Sequence, residues 1–417
     1  MLKHVVNSPA GEISEVKVKM ENIRNVIDFK TKSLILERKM PRILGNNQHK
    51  GKTLIAMDGG YSAVKGVSPD RLFIFPSYAK RVEKELERVG GKVDPLDIQY
   101  RNNETGEIWL VGRIAMAFLD NIDLDRTTDA SMYNRYRYTS DVYKVIMSTG
   151  LAIGCIGAGD NDIYLQTGLP ATYKDQDVGK IISALSGHYN ISIKFGAGEW
   201  IDFNFDLPED HIFVMEQPQG TLCACAYQMD GTLSAQGRDI LSSGTIIHDV
   251  GFGTEDNFAI KAGFKNNHQT HTDTAMKSVF EETLKEIKRK NSYVETKVFE
   301  LQNFLETGIL TSFNVDTFEE DEIDFKDVLF RKNDELCDKS IKQLMLDYEN
   351  LKGFKYLVVT GGTGESRFNM IADKLKGLKS LKVIPGNLNF PDIPSSFSNV
   401  IGYYLFRHAK FVKETKE

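Results

Sequence analysis

Three glycine-rich stretches in this 417-residue chain each follow a short apolar run, and two of them begin with an aspartate. They lie at residues 58–60, 249–254 and 361–365. In a tight turn, backbone N–H groups can converge on phosphate oxygens, and larger side chains would block that approach. Phosphates repel an aspartate unless a divalent cation lies between them, and Mg²⁺ is typically held by one or two carboxylates plus phosphates. The pattern therefore predicts a nucleotide site in which Asp58 and Asp249 face Mg²⁺.

Each aspartate taken alone has a simpler explanation, since Asp commonly caps a turn. The recurrence of the pattern favours the binding site. Lys65, seven residues after Asp58 on a returning strand, can point back at the phosphates as a positive charge, or it is an ordinary surface lysine. None of the turns is a P-loop, and residues 361–364 do not make a dinucleotide fingerprint.

Alternating strand and helix patterns position these turns. Residues 52–57 and 356–360 are expected to be buried strands, and residues 63–67 return from the first turn as a hairpin. Residues 1–52 are expected to form a charged leader that ends in a linker. Residues 313–327 are expected to form an acidic loop. The length allows two or three domains. The segments with helical spacing are residues 140–156, 176–185, 217–229, 274–290, 334–351 and 398–408.

The composition narrows the possible partners. The formal net charge is -6, so a broad basic face for wrapping nucleic acid is absent. Four scattered cysteines predict a reducing compartment. No signal peptide is evident at the N-terminus, and the most apolar stretch, residues 145–159, is too short to span a bilayer. We therefore expect a cytoplasmic protein without a membrane partner.

Taken in order, the motifs resemble those of the superfamily that contains actin, the heat-shock chaperone ATPases and the sugar kinases. Its first phosphate motif, an Asp, then Gly, with Lys seven residues after the Asp, resembles residues 58–65. Its second phosphate motif matches Asp249-Val-Gly251-Phe-Gly253-Thr254-Glu-Asp256, and its adenosine motif matches residues 359–365. The two connecting helices resemble residues 140–156 and 399–403. Two departures are the leader before the first strand and Phe252, where Gly is frequent.

Between the two phosphate motifs, this superfamily places a Gln or Glu that orients the attacking water. Residues 217–227 are similar to the chaperone run that begins Glu-Pro, which makes Gln217 the counterpart; Glu216 replaces it if the register slips by one. Residues 163–173, with Gly168-Leu-Pro170, resemble the ParM type of bacterial actin-like plasmid segregation proteins.

The resemblance implies an α/β, actin-like (ribonuclease H-like) fold with a nucleotide cleft between two lobes. Residues 53–245 plus 390–417 would form lobe I, residues 246–389 lobe II, and residues 1–52 an N-terminal extension. Asp58 and Asp249 would hold Mg²⁺, and Gln217 would place the water. The implied nucleotide contacts are Asp58, Gly60, Tyr61, Ser62, Lys65, Gly251, Gly253, Thr254, Gly361, Gly362, Gly364 and Glu365.

The implied function is hydrolysis of ATP or GTP coupled to assembly of a helical filament of identical subunits. The filament would segregate plasmids through a DNA-binding adaptor of the ParR type and reach the plasmid centromere DNA only indirectly. The alternative is a sugar-type small-molecule kinase on the same core, with Asp249 or Asp256 as the base. A chaperone-like regulator is less favoured, on the expectation that no substrate-binding domain follows residue 417.

Two further patterns have simpler explanations. His268, His271 and Asp273 could form a weak metal site, but a polar surface loop explains them better. Three tyrosines mixed with two arginines could stack on single-stranded nucleic acid, but packing between lobes is favoured. These five residues are Tyr133, Arg135, Tyr136, Arg137 and Tyr138.

Overall fold

The computed structural model describes residues 25–43, 51–86, 90, 94–119, 135–159 and 161–414. Its first sheet has the strand order β1-β4-β3-β2-β8-β11, in which β2, β8 and β11 are parallel. These strands are β1 (Leu34–Glu37), β2 (Lys52–Gly59), β3 (Ala63–Val67), β4 (Arg71–Pro76), β8 (Asp162–Leu169) and β11 (Ile212–Glu216). The near-continuous apolar run of β2 is explained by burial on both faces.

A second sheet, in the order β10-β9-β6-β7-β5, lies beside the first, and α2 (Asp141–Cys155) packs between them. We call these two sheets with their helices lobe I. Their remaining helices are α1 (Arg113–Phe118) and α3 (Lys174–Leu185). The strands are β5 (Ala79–Val82), β6 (Ile98–Asn102), β7 (Ile108–Val111), β9 (Gly187–Phe195) and β10 (Ile201–Leu207).

Lobe II is built on a third sheet that repeats the plan of the first. Its order is β14-β13-β12-β17-β18, an antiparallel meander followed by two parallel strands. The strands are β12 (Thr245–Val250), β13 (Glu255–Lys261), β14 (Phe264–His271), β17 (Tyr356–Thr360) and β18 (Lys382–Pro385). The lobe also contains α6 (Met276–Lys290), α7 (Lys326–Asp347), α8 (Gly362–Leu375) and the hairpin β15 (Ile309–Asn314) to β16 (Glu319–Asp324).

The expectation that residues 140–156 connect the lobes is wrong. This segment, α2, lies between β7 and β8, which both belong to lobe I. The chain passes from β11 to β12 through α4 (Gln217–Ala226) and α5 (Ala235–Ser242), and α9 (Ser398–Glu414) packs across α4. At this crossing, a Cβ on Gly402 would lie 1.7 Å from the Gly220 carbonyl oxygen. Two glycines thus let the helix backbones touch. Residues 399–403, predicted as the second connecting helix, lie in α9.

Residues 25–43, which we call the strap, join the two lobes on the cleft side. Val26 and Phe29 are buried in a lobe II cluster with Met276, Leu305 and Leu310. A few residues later, β1 pairs antiparallel with β4 at the edge of the first sheet. This part of the predicted extension therefore belongs to the folded body. The division into lobes at residues 53, 245 and 390 stays a prediction, and residues 1–24 lie outside the described residues.

Two predicted loops are strands. The acidic run 319–324 is β16, because its carboxylates stay mostly exposed to water on a two-stranded sheet. Residues 264–271 are β14, so His268 and His271 lie on a strand. His271 Nε2 lies 2.7 Å from Asp347 and Asp273 lies 2.5 Å from Lys339 Nζ, so these residues have separate partners. None of the described helices combines the length and apolar composition that crossing a bilayer requires.

Candidate functional site

The hairpin of β2 and β3 places the first aspartate beside the first lysine. Asp58 and Lys65 are directly opposite each other in the register, so both side chains lie on the same face of the sheet. Their Oδ2 and Nζ atoms are 3.4 Å apart, and the Asp58 side chain is almost fully buried. From the start of α4, Gln217 Nε2 donates a 2.8 Å hydrogen bond to Asp58 Oδ1. The spacing of seven residues therefore corresponds to a cross-strand pair.

The hairpin of β12 and β13 places a second acidic group facing the first. Asp249 is opposite Asp256, and its Oδ2 accepts a 2.7 Å hydrogen bond from Asn399 Nδ2 of α9. Loss of surrounding solvent raises the pKa of Asp249, against the effects of Asn399 and Lys65, and the nearby Asp58 raises it further. Burial raises the pKa of Asp256 to about 7, even though its oxygens accept hydrogen bonds from the Thr254 and Thr270 hydroxyls.

Glycines in two of the turns leave no room for a side chain. The Gly251 N–H donates to the Thr254 carbonyl, 2.8 Å away, and closes the second turn. A Cβ on Gly253 would lie 2.6 Å from the Tyr61 ring. Gly361 has φ of +84°, and a Cβ there would lie 2.5 Å from Asp249 Oδ1. The third turn thus requires glycine both for its backbone conformation and for its closeness to the second aspartate.

The two candidates for orienting the attacking water, Gln217 and Glu216, have different surroundings. Glu216 Oε1 lies 2.6 Å from Lys265 Nζ, and its other oxygen accepts a bond from Gln219. Gln217 contacts Asp58 and lines the cleft, whereas Glu216 does not. Of the two, only Gln217 is therefore available to a molecule bound in the cleft.

Two adjoining cavities lie between the lobes. The larger, of about 470 Å³, is within the size range of small-molecule sites and is bounded by the adenosine motif, residues 391–394 and residues 28–32 of the strap. The smaller, of about 50 Å³, lies among the two aspartates and Gln217. The predicted residues that line one or both cavities are Asp58, Gly60, Tyr61, Ser62, Lys65, Gln217, Asp249, Gly251, Gly253, Thr254, Gly361, Gly362 and Glu365.

Two predicted residues do not line either cavity. One is Glu216, described above, and the other is Gly364. Gly364 is buried inside α8, where a Cβ would lie 3.4 Å from Val359, so this glycine serves helix packing. Its neighbour Glu365 lines the larger cavity, and its Oε2 accepts a 3.4 Å bond from the Ser396 N–H. Burial raises the pKa of Glu365, while Lys32 of the strap lowers it. The strap thus adds a cation to this end of the cleft.

Three contributors were missed by sequence reasoning. Asn399 bonds to Asp249 and accepts from Thr221 of α4, so it ties the crossing helices to the site. Arg137 lines the smaller cavity. Residues 28–32 line the larger one. Asn399 stood in a recognised motif, and Arg137 stood in a noted Arg-Tyr run; no signal in the strap pointed to the cleft.

The cleft has the chemistry of a site for an anion with a divalent cation. The described residues contain no group of three His, Cys, Asp or Glu side chains that could hold a metal by themselves. Asp58 and Asp249 supply two carboxylates, the number that suits Mg²⁺ when phosphates complete the shell. Lys65, the glycine turns and the unpaired guanidinium nitrogen of Arg137 suit the phosphates. The residues present therefore fit a nucleotide with Mg²⁺.

Comparison with known proteins agrees with this geometry. Residues 56–220 match the family described as actin-like proteins, N-terminal domain. A non-polymerisable quadruple mutant of pCBH ParM superposes with a TM-score of 0.64 at 20% identity, over 87% of this chain and 100% of that one. This chain has the actin-like fold. The predicted fold class is confirmed, and the likeness to ParM-type proteins is shown as a likeness of fold.

Two further solved structures resemble this actin-like chain. A 15-stranded ParM filament from Clostridium botulinum matches with a TM-score of 0.62 at 20% identity, covering 86% of this chain and 99% of that one. The archaeal actin homologue Ta0583 in complex with ADP matches with a TM-score of 0.55 at 15% identity, covering 87% and 99%. No curated protein sequence matches the chain.

Proposed function

We propose that this chain is a nucleoside triphosphatase that binds ATP or GTP with Mg²⁺ between its lobes and assembles into filaments. The observation that carries the proposal is the meeting of Asp58, Asp249 and Gln217 at the base of a cleft between two glycine-rich turns. Hydrolysis of a phosphoanhydride needs positioned phosphates, a metal and an oriented water, and little covalent help from the protein.

The parts of the nucleotide have separate places in the cleft. Asp58 and Asp249 would hold Mg²⁺, which supplies charge neutralisation on the phosphates. Lys65 and the turns at residues 60–62 and 251–254 would hold the phosphates, and Gln217 would orient the water through its amide. Gly361, Gly362 and Glu365 would meet the adenosine in the larger cavity. This assignment is supported by the way both cavities share the phosphate turns.

Two observations support filament assembly, the hinge between the lobes and the similarity to a filament-forming protein. The lobes meet at the glycine contact between α4 and α9, so a ligand that contacts both lobes biases the angle between them. In a head-to-tail polymer of identical subunits, that angle determines whether neighbouring subunits fit together. A ParM filament is among the structures that share the fold. We propose plasmid segregation in the cytoplasm as the use of the filament.

The link to DNA would be made by an adaptor. The net charge of -6 disfavours direct wrapping of DNA, because neutralising phosphates requires many Lys and Arg. An adaptor of the ParR type with a basic filament-facing surface would join the polymer to plasmid centromere DNA, so that DNA contacts stay indirect.

The kinase alternative is less well supported by the site. A kinase base must have a carboxylate oxygen free to accept a proton from its substrate. Both oxygens of Asp256 accept hydrogen bonds from threonine hydroxyls, and Asp249 accepts from Asn399. The described geometry thus offers Asp249 Oδ1 alone for that role.

The deciding experiment is sedimentation with negative-stain microscopy of the full chain in Mg²⁺ with ATP, GTP, a non-hydrolysable analogue of each, or no nucleotide. We expect polymer with triphosphates and analogues at micromolar protein, and disassembly as phosphate is released. Asp249→Asn serves as the control for nucleotide dependence. A chain that stays monomeric in all conditions, and consumes ATP only when a sugar is added, would establish the kinase instead.

A further inference from the structure

Arg137 is a buried cation at the smaller cavity. It lies in a short 3₁₀ helix (Arg135–Thr139) immediately before α2, and only 3% of its surface is exposed. Its guanidinium carbon lies 4.2 Å from the centroid of the Tyr61 ring and 5.3 Å from that of Tyr138. Cation–π contact with these rings holds the guanidinium beside the cavity, and the group stays charged at any physiological pH.

The charge of Arg137 lacks an anionic partner in the described part of the chain. None of the ion pairs among the described residues includes Arg137, its titratable neighbours are tyrosines, and its buried Nη1 atom makes no hydrogen bond. An unpaired buried cation is costly, and an N–H without an acceptor adds to that cost. By contrast, Nη1 of the half-buried Arg71 is satisfied, because it donates to the carbonyls of Ile153 and Ile156.

The location of Arg137 indicates which anion would pair with its charge. The smaller cavity is shared by Arg137, Gln217, both aspartates and Thr254. If the nucleotide binds as proposed above, on which this inference rests, the end of its phosphate chain lies here. Arginine is well suited to such an anion, because its planar fork can donate two N–H groups to one phosphoryl group.

We infer that Arg137 binds the terminal phosphoryl group of the nucleotide, and that it stabilises the charge that develops there during hydrolysis. Its Nη1 donates to a phosphoryl oxygen, while the rings of Tyr61 and Tyr138 hold the guanidinium in place. The residue comes from the same chain as the rest of the site, so the site needs no arginine from a neighbouring subunit. The hydrolysis itself breaks the terminal P–O bond and transfers the phosphoryl group to water.

The test measures affinity for a non-hydrolysable triphosphate analogue and for the diphosphate, with Mg²⁺, by calorimetry. Arg137→Met should weaken triphosphate binding about 10- to 100-fold and change diphosphate binding much less, since a charged hydrogen bond is lost only with the terminal group. Arg137→Lys keeps a charge and should recover part of the loss. Single-turnover hydrolysis should fall further in the methionine variant than binding accounts for.

Arg367 of lobe II provides a matched control. It is fully buried and also has one unpaired nitrogen, Nη2, but its Nε bonds to Asn333 and it lines neither cavity. Arg367→Met should lower the melting temperature and leave the triphosphate-to-diphosphate ratio unchanged. An Arg137→Met variant that loses only thermal stability, with the wild-type ratio, would make Arg137 a structural clamp. Wild-type protein that binds neither nucleotide would refute the proposed function instead.

Discussion

Lys65 and Asp256 occupy equivalent places in the two lobes. Each lies directly across a hairpin from an aspartate seven residues earlier, Lys65 from Asp58 and Asp256 from Asp249. Lobe I therefore places a cation beside its aspartate, while lobe II places a second acid, whose pKa burial raises to about 7. A bound divalent cation would therefore relieve more repulsion at Asp249 than at Asp58.

The first prediction concerns Gln217. Gln217→Ala should leave nucleotide affinity within a few-fold of wild type and slow hydrolysis about 10²–10³-fold, because positioning of a reactant is worth that much. Filaments should persist correspondingly longer. Phosphate release and light scattering after a pulse of nucleotide measure the two effects.

Glu216→Ala is the matched control for Gln217, because Glu216 is its neighbour in sequence and pairs with Lys265 outside the cavity. It should hydrolyse at nearly the wild-type rate. If Glu216→Ala were the slow variant and Gln217→Ala the normal one, the roles would have to be exchanged.

Asp249 should control the dependence on magnesium. Asp249→Asn keeps the acceptor for Asn399 and removes the charge, so the apparent Mg²⁺ affinity in the hydrolysis assay should fall at least about 10- to 100-fold, the loss caused by removing even an outer-shell partner of a metal. Asp273→Asn, an exposed acid on Lys339, is the control. An unchanged magnesium titration in Asp249→Asn would reduce Asp249 to a turn cap.

The anchor of the strap should slow the release of nucleotide. Phe29→Ala removes a ring buried against lobe II, which costs about 3–5 kcal/mol of local packing, well above the 1.4 kcal/mol that a tenfold rate change requires. We expect a fluorescent nucleotide to dissociate at least about tenfold faster. Leu305→Ala weakens the same cluster from lobe II itself, and should leave the dissociation rate nearly unchanged. If nucleotide dissociated equally fast from the Phe29→Ala and Leu305→Ala variants, the strap would have no specific role in retaining nucleotide.

The crossing of α4 and α9 should not accept a methyl group. Gly402→Ala would place a Cβ against the Gly220 backbone, which cannot move aside as a flexible side chain could. Overpacking of this kind costs about 1–3 kcal/mol or more, and the melting temperature should fall by several degrees. Gly377→Ala has no atom within 4 Å of the added Cβ and should be neutral. A neutral Gly402→Ala would show that the helices can separate at little cost.

His408 of α9 should make stability depend on pH. Burial lowers the pKa of His408, so the unfolded chain takes up a proton below about pH 6.5 that the folded chain resists. The contribution of His408 to stability is therefore full above pH 6.5 and declines as the pH falls below it. The melting temperature of His408→Gln should fall less than that of wild type between pH 7.5 and 5.5. A parallel decline in both proteins would contradict this; the exposed His188→Gln is the control.

The sequence was informative where the chemistry is local. The hairpin at Asp58 and the turns at Asp249 and Gly361 are encoded by a few adjacent residues, so their positions could be predicted. Contacts between distant segments could not: Asn399 meets Asp249 only because α9 returns across α4. The error over residues 140–156 has the same origin, since an apolar helix looks alike whether it joins two lobes or fills the space between two sheets.

The repeated strand order of the first and third sheets was also invisible in the sequence. The two sheets share the same backbone pairing, with Asp58 opposite Lys65 in the first and Asp249 opposite Asp256 in the third. The equivalent residues Lys65 and Asp256 nevertheless carry opposite charges. Arg137 escaped prediction because its significance depends on burial and on the absence of a described acidic partner, which only the three-dimensional structure can show.

In the described part of the chain, the strap gives the two lobes a third covalent crossing, in addition to those before β12 and before α9. Full separation of the lobes then requires either the packing of Phe29 or the pairing of β1 with β4 to break. Entry and exit of a large ligand thereby become coupled to local unfolding of one short segment. The exchange of the amide hydrogens in Leu34–Glu37 with solvent deuterium then measures how often the cleft opens by the second of these routes.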